Sequence, residues 1–171
     1  MSRLEEYTLL DATALAELVR SRQVTPAELV EAAVERLEFA DAKLAAMSEW
    51  TLDRARQAAL DPAYGPFGGV PFLLKDNMHI AAGIPYHNGS RIWRGWVAPH
   101  DSELVRRFKA AGLIILGTTK VPELSLTSVT EPKHTGRANN PWALDRTTGG
   151  SSRGSAAHVA ARTVLHAPQH A

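Results

Sequence analysis

Apolar residues recur at intervals of three and four along the first part of this chain and at closer spacing further on. In VTPAELVEAAVERLEFADAKL, residues 24–44, Leu29, Ala33, Leu37, Ala40 and Leu44 fall on one stripe of a helix. Thr25 is placed to cap it, Pro26 suits the first helical position, and Glu28 closes a capping box. A shorter helix is expected from Asp11 to Arg20, with Leu15, Leu18 and Val19 on one side. Residues 1–65 therefore read as a helical region that packs against something larger. Nothing in their charge or glycine pattern suggests chemistry.

The texture changes at DPAYGPFGGVPFLLKDN, where proline and glycine end the helical pattern. Val70 to Leu74 reads as a short buried strand, with Pro71 confined to its first residues or to an edge. DSELVRRFKAAGLIILGTT then predicts a helix followed by a strand. Asp101 or Ser102 is placed to cap that helix, Leu104, Val105, Phe108 and Ala111 form its stripe, and Gly112 stops it. The run Leu113 to Leu116 is apolar on both alternations, as a strand covered on both faces would be. Strand, helix and strand in this order imply an α/β architecture with layered helices. The sequence contains no internal repeat and no low-complexity segment.

Composition narrows the function classes. A formal net charge of +1 supplies no basic field, so nucleic acid is not expected as a partner. With 44% hydrophobic and 22% charged residues, the chain is ordinary globular material. It has no cysteine, which removes disulfides, thiolate metal sites and thiol nucleophiles together. Glu5, Glu6, Asp11 and Glu17 interrupt any export-type apolar run, and AAGLIILG is too short to cross a bilayer. The expectation is a soluble cytoplasmic protein with no membrane partner.

The chemistry concentrates in TTGGSSRGSAAHVAA, residues 147–161, which turns from glycines and serines into an alanine-rich helix. Gly149 and Gly154 have the separation of a phosphate-cradling loop, but Ser155 stands where the lysine belongs. Gly150 to Gly154 matches a nucleophile elbow with Ser152 at its centre. The preceding NNPWALDRTT does not read as a strand, however, and the last carboxylate, Asp145, precedes the serine. A third device pairs a serine with a lysine base. It needs a lysine buried enough to fall from about 10.4 toward neutrality. Lys75, coming off the apolar Val70 to Leu74 strand and followed by Asp76 and Asn77, fits that demand.

FGGVPFLLKDN, GIPYHNGS, DSELVRRFKAAGLIILGTTKVPEL and GRANNPWALDRTTGGSSRGSAAHVAA occur in this order and spacing. Together, from about Leu9 to Ala161, they resemble the amidase signature family. The resemblance implies the amino-terminal part of a three-layer α/β/α fold with a mixed sheet, incomplete in this chain. Residues 66–161 would begin the α/β core, and 162–171 would be a divergent tail. It also implies hydrolysis of small-molecule carboxamides to acid plus ammonia or amine, with neither metal nor cofactor. Carried over by residue, Lys75 is the base and Ser151 the bridging serine, held by a cis bond after Gly150. Ser152 supports them, and Gly149 and Gly150 shape the turn. The family's nucleophilic serine and oxyanion amides would fall beyond Ala171. Arg153 replaces a glycine of the motif, Arg162 stands where a glycine is usual, and TVLHAPQHA does not lead into the family's next strand. The expectation is thus a truncated, association-prone chain, ended by a frameshift or early stop near Ala161 and inactive alone. Two other readings stay open: a non-catalytic remnant or binding partner of a full-length amidase, and a piece like the glutaminase (A) subunit of a tRNA-dependent amidotransferase.

Other residues carry weaker signals. His79, His87, His100 and His134 show no metal-ligand spacing and read as surface or loop histidines. Trp93 and Trp96, beside Arg91 and Arg94, read as a half-buried loop anchor. Asn140, Trp142, Glu131 and Pro132 lie where the resemblance puts cleft-shaping segments.

Overall fold

The computed structural model describes residues 7–165 and 167. The ends of the expected helical region and of the divergent tail, residues 1–6, 166 and 168–171, lie outside the described residues. Helix α1 spans Ala12–Arg20 and α2 spans Pro26–Leu44. The α2 capping box forms: the Glu28 N–H donates to Thr25 Oγ1 at 3.2 Å, and the Thr25 N–H donates to Glu28 Oε2 at 2.9 Å. Leu29, Ala33, Leu37 and Leu44 are buried and Ala40 is half-buried, but Val30 and Val34 are buried too. The apolar face is wider than the stripe, because α2 meets both α3 (Leu52–Leu60) and the sheet.

At the end of α2 the Asp41 carboxylate accepts the N–H groups of Ala46 (2.6 Å) and Met47 (3.1 Å). This turns the chain into β1, Met47–Trp50. The reading of residues 1–65 as helical did not include this strand. Its four residues are too short to show a period, and its pairing comes from β3, Ile114–Thr119, far along the chain.

Strand β2, Pro71–Lys75, is buried throughout and begins on its proline, where no ladder donor is lost. It runs parallel to β3, and α4, Glu103–Ala110, makes the crossover between them. The order β1-β3-β2, with β1 antiparallel, makes a small mixed sheet of an α/β fold. Ser102 occupies the α4 cap position without a side-chain bond, while Asp101 instead accepts the Ala82 N–H and pairs with Lys109. Val105 is buried and Phe108 packs its ring on Phe72 at 4.9 Å, but Leu104 lies at the surface. Phe72, Leu73, Leu74 and Leu116 are fully buried with Leu15 and Leu37 in one apolar cluster. Among the described residues, no helix is long and apolar enough to cross a membrane.

NNPWALDRTT, expected not to be a strand, forms a hairpin of β4 (Asn139–Asn140) and β5 (Ala143–Thr147). Asn140 Oδ1 closes its turn by accepting the Trp142 N–H. The hairpin is a separate two-stranded sheet, so it still does not feed the glycine-serine loop from the main sheet. Helix α5, Arg153–Ala160, follows that loop.

Candidate active site

Lys75 ends β2, and only 3% of it is exposed. Its neighbours on the strand are buried on both faces, so the amine leaves the sheet into a seam between β2 and α5. Nζ lies 2.9 Å from Ser151 Oγ and 2.9 Å from Ser152 Oγ. Burial pushes this amine below the ordinary lysine value, because the charged form loses hydration. Once neutral, an amine has a lone pair to accept a hydroxyl proton while still donating to a second oxygen.

The adjoining Asp76 is also buried. Its N–H donates to Thr119 O, and its carboxylate accepts Ser48 Oγ at 2.7 Å and the His87 N–H at 3.1 Å. Burial raises the Asp76 carboxyl above its usual value, with those hydrogen bonds opposing. Asp76 thus ties β1, β2 and the segment after β2 together next to Lys75.

The loop opposite Lys75 is set by close backbone approaches. The Gly150-Ser151 bond is cis, and Gly149 has φ +86°. A Cβ on Gly150 would stand 2.6 Å from Thr127 O, and one on Gly154 would stand 2.6 Å from Lys120 O. Only glycine therefore lets the loop reach the 127–128 backbone and lets α5 lie against the end of β3. Hydroxyls complete the attachment. Thr130 Oγ1 donates to Gly149 O at 2.6 Å. Thr119 Oγ1 donates to Leu74 O at 3.2 Å, so the 2.7 Å contact between Thr119 and Ser155 is made by the Ser155 proton. Ser155 is fully buried in this role. Arg153 fits in place of the motif's glycine because its side chain runs outward, donating to Thr148 O at 2.6 Å.

Of the residues singled out from sequence, Lys75, Ser151 and Ser152 come together, with Gly149 and Gly150 in the loop behind them. Others stand apart. Trp142 is 86% exposed on the hairpin. Trp93 and Trp96 pack edge-on against Tyr86. Glu131 and His100 are at the surface and Pro132 is buried. His79 Nδ1 sits 3.1 Å from Lys75 O. His87 lies between Glu49 and His134, a grouping that sequence spacing does not announce. Among the described residues, no group of three or more His, Asp and Glu could hold a metal ion. Thr119, Thr130, Ser155 and Asp76 are the site residues that sequence reasoning gave no positioning role. Thr119 and Asp76 lie at strand ends, Ser155 in α5 and Thr130 in the segment before β4, and no local pattern joins them.

Known proteins align with this arrangement. A family model described as Amidase matches residues 28–168. The 6-aminohexanoate-cyclic-dimer hydrolase of Paenarthrobacter ureafaciens is 40% identical over 153 residues, covering 88% of this chain and 31% of that protein. The (A) subunit of a glutamyl-tRNA(Gln) amidotransferase from Salinispora arenicola is 41% identical over 167 residues, covering 92% of this chain and 34% of the relative. The solved structure of 6-aminohexanoate cyclic dimer hydrolase superposes with a TM-score of 0.88 at 39% identity, over 94% of this chain and 33% of that one. The chain thus spans about a third of the length of these relatives. On the extent of that family match, and on the identity of these relatives, the chain belongs to the amidase (amidase signature) family.

Proposed function

We infer that residues 1–171 carry the base and the relay serine of an amide hydrolase. The observation that carries this reading is the buried Lys75 amine, 2.9 Å from two serine hydroxyls. Neutral Lys75 takes the proton of Ser151, whose oxygen takes the proton of a nucleophilic serine, while Ser152 holds the amine in place. The nucleophile adds to the carbonyl carbon of a small-molecule carboxamide and the C–N bond breaks. The relayed proton goes to the departing nitrogen, which leaves as ammonia or amine. Water then cleaves the acyl ester to give the acid. On this reading the nucleophile and its oxyanion donors lie on amidase polypeptide outside residues 1–171, in the same chain or an associating one, and the site works in the cytoplasm. The 171 residues alone then turn over no amide at a family-like rate, because losing one member of such a unit costs nearly as much as losing all.

A relative named as an amidotransferase (A) subunit is as similar to this chain as the hydrolase is. It supports a second reading in which the amide is glutamine's and partner subunits receive the ammonia. One experiment separates these. The chain is mixed with a separately expressed carboxyl-terminal portion of an amidase, and ammonia release is followed from simple aliphatic and aryl amides and from glutamine. Activity that Lys75→Ala abolishes is expected, and a preference for glutamine selects the second reading. Activity indifferent to Lys75→Ala, or a stable complex with none, overturns both and leaves a non-catalytic partner.

A further inference from the structure

The segment between β3 and β4 is attached on two sides. Toward the loop, Thr130 Oγ1 holds Gly149 O, and the backbone of Thr127 and Ser128 fills the space beside Gly150. Toward the sheet, His134 Nε2 lies 3.3 Å from His87 Nδ1, with the ring centroids 4.8 Å apart. His87 Nε2 lies 2.7 Å from Glu49 Oε1 on β1. One arrangement of protons satisfies both contacts. An ionised Glu49 only accepts, so His87 Nε2 carries a proton and donates it. With the His87 ring neutral, its Nδ1 is the acceptor and His134 Nε2–H donates into it.

We propose that Glu49, His87 and His134 form a positioning chain that anchors the 126–138 segment to the sheet, holds the Gly149–Ser151 backbone in register with Lys75 through Thr130 and residues 127–128, and lets go as the histidine pair takes up protons. One proton on the pair is held, because the ring left neutral presents a lone pair at the shared position, but a second proton removes that acceptor and sets two N–H groups face to face. That second proton also places two cations together, beside Arg91 and Arg94. Burial, then His87, Arg94 and Arg91, hold His134 below the ordinary imidazole value, and Glu49 opposes them. On the His87 side, Glu49 and the Asp76 carboxylate are the facing charges. Because His134 binds a proton less readily in this contact than apart from it, falling pH favours separation. The link to catalysis rests on Lys75 and Ser151 being the working pair, but the link to loop geometry does not.

Nuclear magnetic resonance of the 171-residue chain tests this directly as the pH falls from about 8 to about 5, across the imidazole range. The amides of Thr130, Gly149, Gly150 and Ser151 should shift with the His134 ring, at a midpoint below about 6.5. His134→Phe, which keeps a ring in the space, should abolish the step. Glu49→Gln should move it to lower pH, since the charge that favours protonation is gone. A His79→Gln control should leave it in place. Loop amides that stay still across the wild-type His134 midpoint overturn the proposal without any variant having to fold. So does a step that survives His134→Phe or vanishes with His79→Gln. No turnover is read, so failure here leaves the hydrolase reading standing, and failure of complementation leaves this titration standing.

Discussion

The β2–α4–β3 unit and the segment from residue 123 to residue 152 meet at Lys75, and different forces hold them. The first is a block of fully buried apolar side chains, with Phe72, Leu74 and Leu116 at its centre. The second contributes few such residues and is fixed by hydroxyl and backbone contacts: Thr130 on Gly149, residues 127–128 against Gly150, and the His87–His134 pair. Apolar burial is strong and non-directional, so it sets stability but tolerates small shifts. Hydrogen bonds and backbone contacts add less energy but fix direction and distance. The amine comes from the strong, tolerant side and the serines from the weak, exacting side. Damage to one should therefore cost stability, and damage to the other should cost geometry.

The largest test of that division is Phe72→Ala. Phe72 is fully buried and packs on Phe108. Its truncation should cost about 3–5 kcal/mol, enough to unfold a marginal domain. Denaturant titration followed by circular dichroism measures it. A loss below about 1 kcal/mol would mean that the sheet side is not the stable partner.

Gly150→Ala acts on the other side. The new methyl group meets the Thr127 and Ser128 backbone, which cannot swing away as a side chain could. Overpacking of this kind costs about 1–3 kcal/mol. The sharper expectation is geometric: the loop backs off and the Lys75 amine gains water. Its pKa then rises toward the ordinary lysine value, which nitrogen-detected resonance of Nζ would follow. An Nζ titration unchanged from the parent would break the claim that the loop creates the environment of the amine.

Legibility in the sequence follows the same division. The capping box and the stripe of α2 are local, so Thr25, Glu28 and the Leu29 to Leu44 positions announced themselves. The β2–α4–β3 unit was legible because each piece carries its own period. Strand β1 was not, since Met47 to Trp50 is four residues long and its partner lies beyond residue 113. The β4–β5 hairpin was hidden by a first strand of two residues and by Pro141 in its turn. Lys75 and Ser151 are 76 positions apart, and no periodicity joins them; only the family resemblance did. His87 and His134, 47 apart, had no such help. Interactions that set direction across the fold leave little trace in local pattern.

The smallest expected effect falls at the seam itself. Lys75→Met keeps a similar length of apolar stem and removes the buried amine. Two hydrogen bonds to serine are lost, but so is the cost of burying a group that prefers water. Near neutral pH the two should nearly cancel, leaving the variant within about 1 kcal/mol of the parent. The pH dependence is more decisive than the magnitude. The folded-state pKa of Lys75 lies below the unfolded value of about 10.4. Between those two values the unfolded chain holds the proton more tightly, so parent stability should rise with pH across that window and level off above it. Lys75→Met should lose that alkaline rise while other alkaline titrations persist. Chemical denaturation of both proteins from neutral pH up to about 10.5 measures the difference. Parallel curves would mean that the amine at the end of β2 is as well solvated when folded as when unfolded, and the serines beside it would then face an ordinary ammonium ion rather than a base.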